Sequence, residues 1–197
     1  AATFQEAIQA LDGDTAVWIV DLRSNPGGDS RSTAATAALF IGGGVMLYFR
    51  DGAGNYNYTY TGDAYPDLSD KPVIVLTSPH SASGAELFSG DIRDYGAGIA
   101  VGQRTFGKGT AQLVLDETHS SLLSGGEALK VTVYRFFSPD GTTNDQLGVF
   151  PTLLISLDNT VNAAMLLCGD QPDQATGHLK VILAGWEFYI DLDQATS

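Results

Sequence analysis

Apolar residues Phe4, Ala7, Ile8 and Leu11 recur at three- and four-residue spacing, which predicts an amphipathic helix at the start of the chain. Val17-Trp18-Ile19-Val20 is instead a continuous apolar run ending in Asp21, the pattern of a strand buried on both faces of an α/β layer. Pro72-Val73-Ile74-Val75-Leu76 and Ile99-Ala100-Val101-Gly102 repeat that pattern. Between these runs lie two helical patterns. One is Ala-rich, capped by Asp29 or Ser30, and runs through Phe40 to a stop at Gly42-Gly43-Gly44. The other covers residues 82–95, with Ala85, Leu87, Phe88 and Ile92 as its apolar stripe. Residues 45–49 and 55–61 flank Asp51-Gly52-Ala53-Gly54 and predict a hairpin with Tyr56, Tyr58 and Tyr60 on one face. Alternating aromatic residues are what a half-buried strand looks like, so packing is preferred to substrate contact for that face. Further strands are expected at 112–115, at 128–137, where Leu129, Val131 and Val133 alternate with Lys130, Thr132 and Tyr134, and at 153–157. A short helix near 161–167, a polar linker at 170–177 and a hairpin turning at Ala184-Gly185 close the chain. Strands and helices interleave, so the class is α/β, with a core over 1–158 and an appendage over 159–197.

Charge narrows the partners. Acidic residues number 23 against 10 basic ones, a net charge of −13, which disfavours nucleic acid and anionic membrane surfaces. Cys168 is the single cysteine, excluding an internal disulfide and a multi-cysteine metal site. No apolar stretch approaches the roughly 18–20 residues of a membrane span, and the first five residues lack the basic-then-apolar character of a signal peptide. A chain that opens inside a helix reads as a fragment of something longer, its targeting segment removed.

Three turns at strand ends carry Gly, Ser and Lys: Asn25-Pro26-Gly27-Gly28, Ser81-Ala82-Ser83-Gly84-Ala85-Glu86 and Phe106-Gly107-Lys108-Gly109. Open α/β sheets place their sites at such strand ends. Each alone also has a bland meaning, namely a tight turn, a Ser helix cap and a solvated Lys. Taken with Asp21-Leu22-Arg23-Ser24 before the first, Gly102-Gln103-Arg104-Thr105 before the third, Thr110-Ala111-Gln112 after it, and Tyr134-Arg135-Phe136-Phe137-Ser138-Pro139-Asp140-Gly141, they resemble in order and spacing the C-terminal processing peptidases, or tail-specific proteases. The resemblance runs over about residues 3–157.

It implies a crotonase-like (ClpP/crotonase) α/β core, no cofactor or metal, and a Ser-Lys endopeptidase that cuts protein or peptide substrates near their C-termini. Ser83 falls at the family's nucleophile, Lys108 at its base and Gln112 at its supporting Gln. Gly27 or Gly28, with Gly84, falls at the backbone donors of the oxyanion hole. An exported location, extracellular, periplasmic or in the cell envelope, is implied too. The family's strand before the first helix and its upstream PDZ domain have no counterpart here, so pairing with a missing N-terminal segment or with a second copy is expected. Pro151-Thr152 stands where the family has Pro-Asp.

Elementary chemistry agrees with these assignments. A Lys amine accepts a proton only when neutral, and at an ordinary pKa of ~10.4 under ~1% is neutral at pH 7. Burial and the positive end of a helix starting near Ser83 would both favour the neutral form. Glycines on both sides of Lys108 are read as letting its backbone approach the nucleophile. His80 is taken as a turn residue, His119 and His178 as loop and tail residues, and Asp21, Glu86 and Asp140 as capping or turn-forming. Two rival functions are a silent peptidase-like module that binds peptides or apolar ligands, and a crotonase-type coenzyme A enzyme. The second explains neither Ser83 nor Lys108.

Overall fold

A computed structural model describes residues 2–61, 70–120, 122–169, 178–183 and 186–191. The chain opens with α1 (Ala2–Leu11) and then enters a four-stranded sheet built from β1 (Trp18–Asp21), β4 (Val73–Thr77), β5 (Gly98–Gly102) and β8 (Leu153–Leu154). All pairings in that sheet are parallel, in the order β1-β4-β5-β8. Parallel neighbours need crossovers, and α2 (Ser30–Ile41) and α3 (Gly84–Asp94) supply them. Helix α2 starts where Asp29 accepts the Ser32 N–H and stops at Gly42, in agreement with the pattern of its sequence.

Strand β4 is the keel. Val73 and Val75 point into a cluster with Ile8, Leu39, Phe40, Phe88 and Ile92, beneath α1, α2 and α3. Ile74 and Leu76 point the other way, to Ile99, Val101, Ala163 and Leu167 under α4 (Thr160–Cys168). Each such side chain taken from water stabilises the fold by about 1.5–3 kcal/mol, so a strand apolar at every position is held from both faces. Edge-to-face rings join α1 to the helices, with Phe4 and Phe40 centred 6.0 Å apart and Phe40 and Phe88 6.1 Å apart.

A second, antiparallel sheet, ordered β3-β2-β7-β6, contains β2 (Gly44–Asp51), β3 (Tyr56–Thr61), β6 (Thr110–Leu115) and β7 (Leu129–Phe137). It packs on α3 through Leu47, Phe136 and Leu87. Beyond α4 a hairpin pairs β9 (His178–Leu183) with β10 (Trp186–Asp191), where a terminal hairpin is expected, while its turn and the linker at 170–177 lie outside the described residues.

Three expectations need correction. Strand β1 is not buried on both faces: Trp18 and Val20 meet the core, but Ile19 is 37% exposed, because β1 is the sheet edge and α4 lies over β4 and β5. The tyrosine face of the hairpin is open: Tyr56 and Tyr58 are exposed, Tyr58 beside the ring of Tyr48 and Tyr56 beside the ring of Phe137 and the Arg50 guanidinium, because β3 is also an edge strand, and the side chain of Tyr60 lies outside the described residues. The strand expected over 153–157 is two residues long, since it pairs only with the end of β5 and then turns at residues 157–159.

Candidate active site

All three suspected turns leave the carboxyl ends of β1, β4 and β5, which are neighbours in the parallel sheet. Buried serines fasten the first two together. Ser81 Oγ donates to the Leu22 carbonyl at 2.8 Å, Ser78 Oγ donates to the Arg23 carbonyl, and the Ala82 N–H donates to the Asn25 carbonyl at 3.0 Å. The Asn-Pro-Gly-Gly turn is thereby held against the Ser83 turn. Gly27 adopts φ +90°, and a Cβ there would lie 2.7 Å from Ser83 Cβ and 2.5 Å from Gly84 N, so any larger residue would push the two turns apart. Its N–H is taken by Asn25 Oδ1 at 2.8 Å. Among the described residues the N–H groups of Gly28 and Gly84 have no acceptor, and Gly28 N lies 3.1 Å from where a Cβ of Gly84 would sit.

Ser83 is the N-cap of α3, with φ 54° and ψ −113°. For a side-chain-bearing residue that backbone costs about 1–3 kcal/mol and persists only where the surroundings impose it. Glu86 imposes it. The Ser83 N–H donates to Glu86 Oε2 at 2.8 Å, and the Ser83 carbonyl accepts from Glu86 N at 2.9 Å and Leu87 N at 3.0 Å. The Ser-x-x-Glu spacing is a recognisable cap signature, so this much of the Glu86 role is as expected.

The rest is not visible in the sequence. Glu86 is 1% exposed, and its carboxylate also accepts from the Lys108 N–H at 2.8 Å, the Gly107 N–H at 2.7 Å and Thr105 Oγ1 at 2.5 Å. One oxygen, Oε2, thus holds the main-chain nitrogens of Ser83 and Lys108, which therefore lie no further apart than twice a hydrogen-bond length. Four donors satisfy a group that would otherwise be expensive to bury. Phe106 N adds a bond to the Ser81 carbonyl at 2.9 Å.

Ser83 and Lys108 are both half-buried, and among the described residues no hydrogen bond joins Ser83 Oγ to the Lys108 amine, so what unites them is main chain. The flanking glycines of Lys108 have a different use from the expected approach to the nucleophile. A Cβ on Gly109 would lie 2.5 Å from Asp145 N, and one on Gly107 would lie 3.0 Å from the Gln146 carbonyl carbon. The glycines admit the loop at 144–149, which bonds back through Gln146 N to the Gly107 carbonyl at 2.8 Å and through Val149 N to Thr105 Oγ1 at 2.6 Å. Gln146 shares with Ser83 the distinction of positive φ, 63°, among the described non-glycine residues.

Gln112 sits on β6 at a bulge, and its amide donates to Thr110 Oγ1 at 3.1 Å and Thr132 Oγ1 at 3.4 Å, with none of its bonds reaching Lys108. Asp21 holds Arg23 by two bonds, 2.9 and 2.6 Å, and that partner keeps its carboxyl below the usual carboxylate range. The pair lines an open cavity with exposed His80. Asp140 closes a turn on Thr142, and His119 bonds Asp116, whose carboxyl is lowered to about 2 by Thr118 and His119.

A parallel sheet with a strained serine at a helix N-terminus, a glycine turn facing it and a lysine loop clamped beside it defines the class of α/β folds with a crotonase-like, ClpP-type core. Within that class the chain belongs to peptidase family S41, whose model matches residues 1–155. It is 34% identical over 155 residues to the chloroplastic carboxyl-terminal-processing peptidase 3 of Arabidopsis thaliana, covering 77% of this chain and 28% of that protein. The carboxyl-terminal-processing protease of Synechocystis is 31% identical over 144 residues, covering 73% of this chain and 31% of that one. Among solved structures, the photosystem II D1 C-terminal processing protease superposes with a TM-score of 0.68 at 29% identity, covering 79% of this chain and 39% of its own. The chain thus spans less than a third of the length of these two sequence relatives. Among the described residues no helix is long and apolar enough to cross a membrane.

Proposed function

We propose that this chain is the core of a serine endopeptidase that cuts polypeptides near their C-termini by a Ser-Lys mechanism. The observation that carries the proposal is the sharing of Glu86 Oε2 by the backbones of Ser83 and Lys108. A neutral Lys108 amine takes the Ser83 Oγ proton as Oγ bonds to the scissile carbonyl carbon. The oxyanion then accepts from the N–H groups of Gly84 and Gly28, which have no other acceptor among the described residues; Gly27 shapes the turn with its own N–H committed to Asn25. The Lys108 ammonium returns the proton to the leaving amine as the C–N bond breaks. Water, deprotonated by Lys108, then adds to the acyl-enzyme ester carbonyl, and the ester C–O bond breaks as Lys108 returns that proton to Ser83 Oγ. Gln112 orients the strand behind the lysine loop through Thr110. A cavity of about 300 Å³ lined by Phe4, Val20, Leu22 and Phe88, beside Gly28 and Gly84, suits an aliphatic side chain just before the scissile bond.

The peptidase core extends to about residue 158, with the hairpin as an appendage. Strand β1 pairs only with β4 among the described residues, and its outer edge takes a strand from a segment outside this chain or from a second copy. An exported or lumenal location fits a core related to chloroplastic processing peptidases. The test is labelling of the full-length protein with a fluorophosphonate probe. Labelling that Ser83→Ala removes, together with hydrolysis of apolar-tailed peptides, is expected. Absence of both would leave a silent peptide-binding module instead.

A further inference from the structure

We propose that a cleft on the antiparallel sheet, beside the start of β6, binds an oxyanion that Arg50 and Arg135 hold by charge and the hydroxyls of Thr110 and Thr132 hold by hydrogen bonds. The cleft, about 320 Å³, lies across β2, β7 and β6, and all four side chains line it. Its place does not depend on the peptidase reading. Strand register sets Arg50 directly opposite Arg135, and Arg135 directly opposite Thr110, so the three form a row across the sheet. Thr132 joins them where β6 bulges between Ala111 and Gln112, a distortion of the kind that re-aims side chains.

Like charges directly opposite each other on a sheet destabilise it. This chain has 10 basic residues against 23 acidic ones and nonetheless sets two of the 10 side by side. Neither is fully neutralised from within. Among the described residues Arg50 pairs with no carboxylate and lies over the Tyr56 ring, 5.5 Å from the centroid. Arg135 meets Asp145 Oδ2 through Nε at 3.2 Å, which leaves its two terminal nitrogens unclaimed among the described residues. The acid that lines the cleft, Asp51, is turned into the hairpin: its carboxylate accepts from Ala53 N at 2.9 Å, Asn55 N at 2.8 Å and Asn55 Nδ2 at 2.9 Å. Thr110 Oγ1 and Thr132 Oγ1 accept from Gln112 Nε2 at 3.1 and 3.4 Å, so their own hydrogens point elsewhere, and no acceptor takes them among the described residues. The cleft therefore presents guanidinium and hydroxyl donors without a matching acceptor, the complement of a carboxylate or phosphate group. Such a group comes from a free ion or from an acidic side chain of a bound polypeptide. Either would rest against β6 two residues beyond Lys108.

Thermal melting of the intact chain in sodium phosphate, against sodium chloride at matched ionic strength, tests this. Phosphate is expected to raise Tm saturably, by about 4 °C or more at about 50 mM, beyond any change in chloride. Arg50→Gln is expected to abolish that rise, Arg50→Lys to keep part of it as a point charge, and Thr132→Val to weaken the apparent affinity by about threefold or more. A rise no greater than that in chloride, or one that survives Arg50→Gln, would overturn the proposal. Anisotropy on the Ser83→Ala chain then tells the two sources apart, using labelled octapeptides that differ only in Glu or Gln at one internal position. Tighter binding of the Glu peptide, displaced by phosphate and lost in Arg50→Gln, assigns the cleft to an acidic side chain. Equal binding of the two peptides, with the phosphate rise intact, assigns it to the free ion.

Discussion

Helix α3 buries a carboxylate at each end, Glu86 in its first turn and Asp91 near its last, both 1% exposed. The two are treated in opposite ways. Glu86 accepts four hydrogen bonds from three segments. Asp91 has an oxygen, Oδ1, without a partner among the described residues, and so does neighbouring Asp94 at Oδ2. Burial, reinforced by the nearby Asp94 charge, pushes the Asp91 carboxyl well above the usual range. Burial therefore says little about what an acidic residue does. At the start of α3 donors converge on the acid and it becomes a joint, whereas at the far end they are missing and it becomes a titratable weak point.

The most severe way to test the first end is Lys108→Arg. It keeps the charge and the backbone bond to Glu86 but cannot surrender a proton at working pH, so kcat should fall about a thousandfold or more with little change in Tm. Near-normal hydrolysis would mean that the clamp positions something other than the base. Glu86→Gln comes next. An amide oxygen still accepts, but the NH2 group now faces N–H donors, leaving buried groups unpaired at a cost of about 2–3 kcal/mol, roughly 5–10 °C in Tm, with kcat down by more than about tenfold. Unchanged stability would show that the joint is dispensable.

Asp91→Asn should do the reverse. Because the folded-state pKa is raised, the contribution of Asp91 is intact below the unfolded value of ~3.9 and is lost as pH climbs through the folded value. The Asn form should melt with the parent near pH 4 and progressively above it toward pH 8, as thermal scans across that range would reveal. A gap that stays constant with pH would assign the titration elsewhere. The smallest effect is expected from Gln112→Ala, which removes two side-chain bonds on a half-exposed strand, worth less than about 0.5 kcal/mol, with kcat within about twofold. A loss as deep as that of Lys108→Arg would place Gln112 in the chemistry itself.

Much of this is legible in the sequence. The unbroken apolar runs of β4 and β5, the Asp29 cap and the ordered Gly, Ser and Lys turns announce the parallel sheet and the side chains at its ends. Local pattern fails where a partner lies far along the chain. Glu86 advertises its cap three residues away, but its grip on Thr105, Gly107 and Lys108 spans 19 to 22 positions. Gly107 and Gly109 were legible as close contacts, yet not as contacts with residues 145 and 146. The run in β1 reads as central although the strand is an edge, because hydrophobicity reports which residues can be buried and not how many neighbours the topology provides.

The Glu86 joint has a consequence for how the molecule breathes. The amide hydrogens of Ser83, Gly107 and Lys108 all end on one side chain rooted in α3. None can exchange with solvent through its own local fluctuation without the same carboxylate letting go. Two loops 20 or more positions apart should therefore open as one cooperative unit, with protection tied to the unfolding of α3.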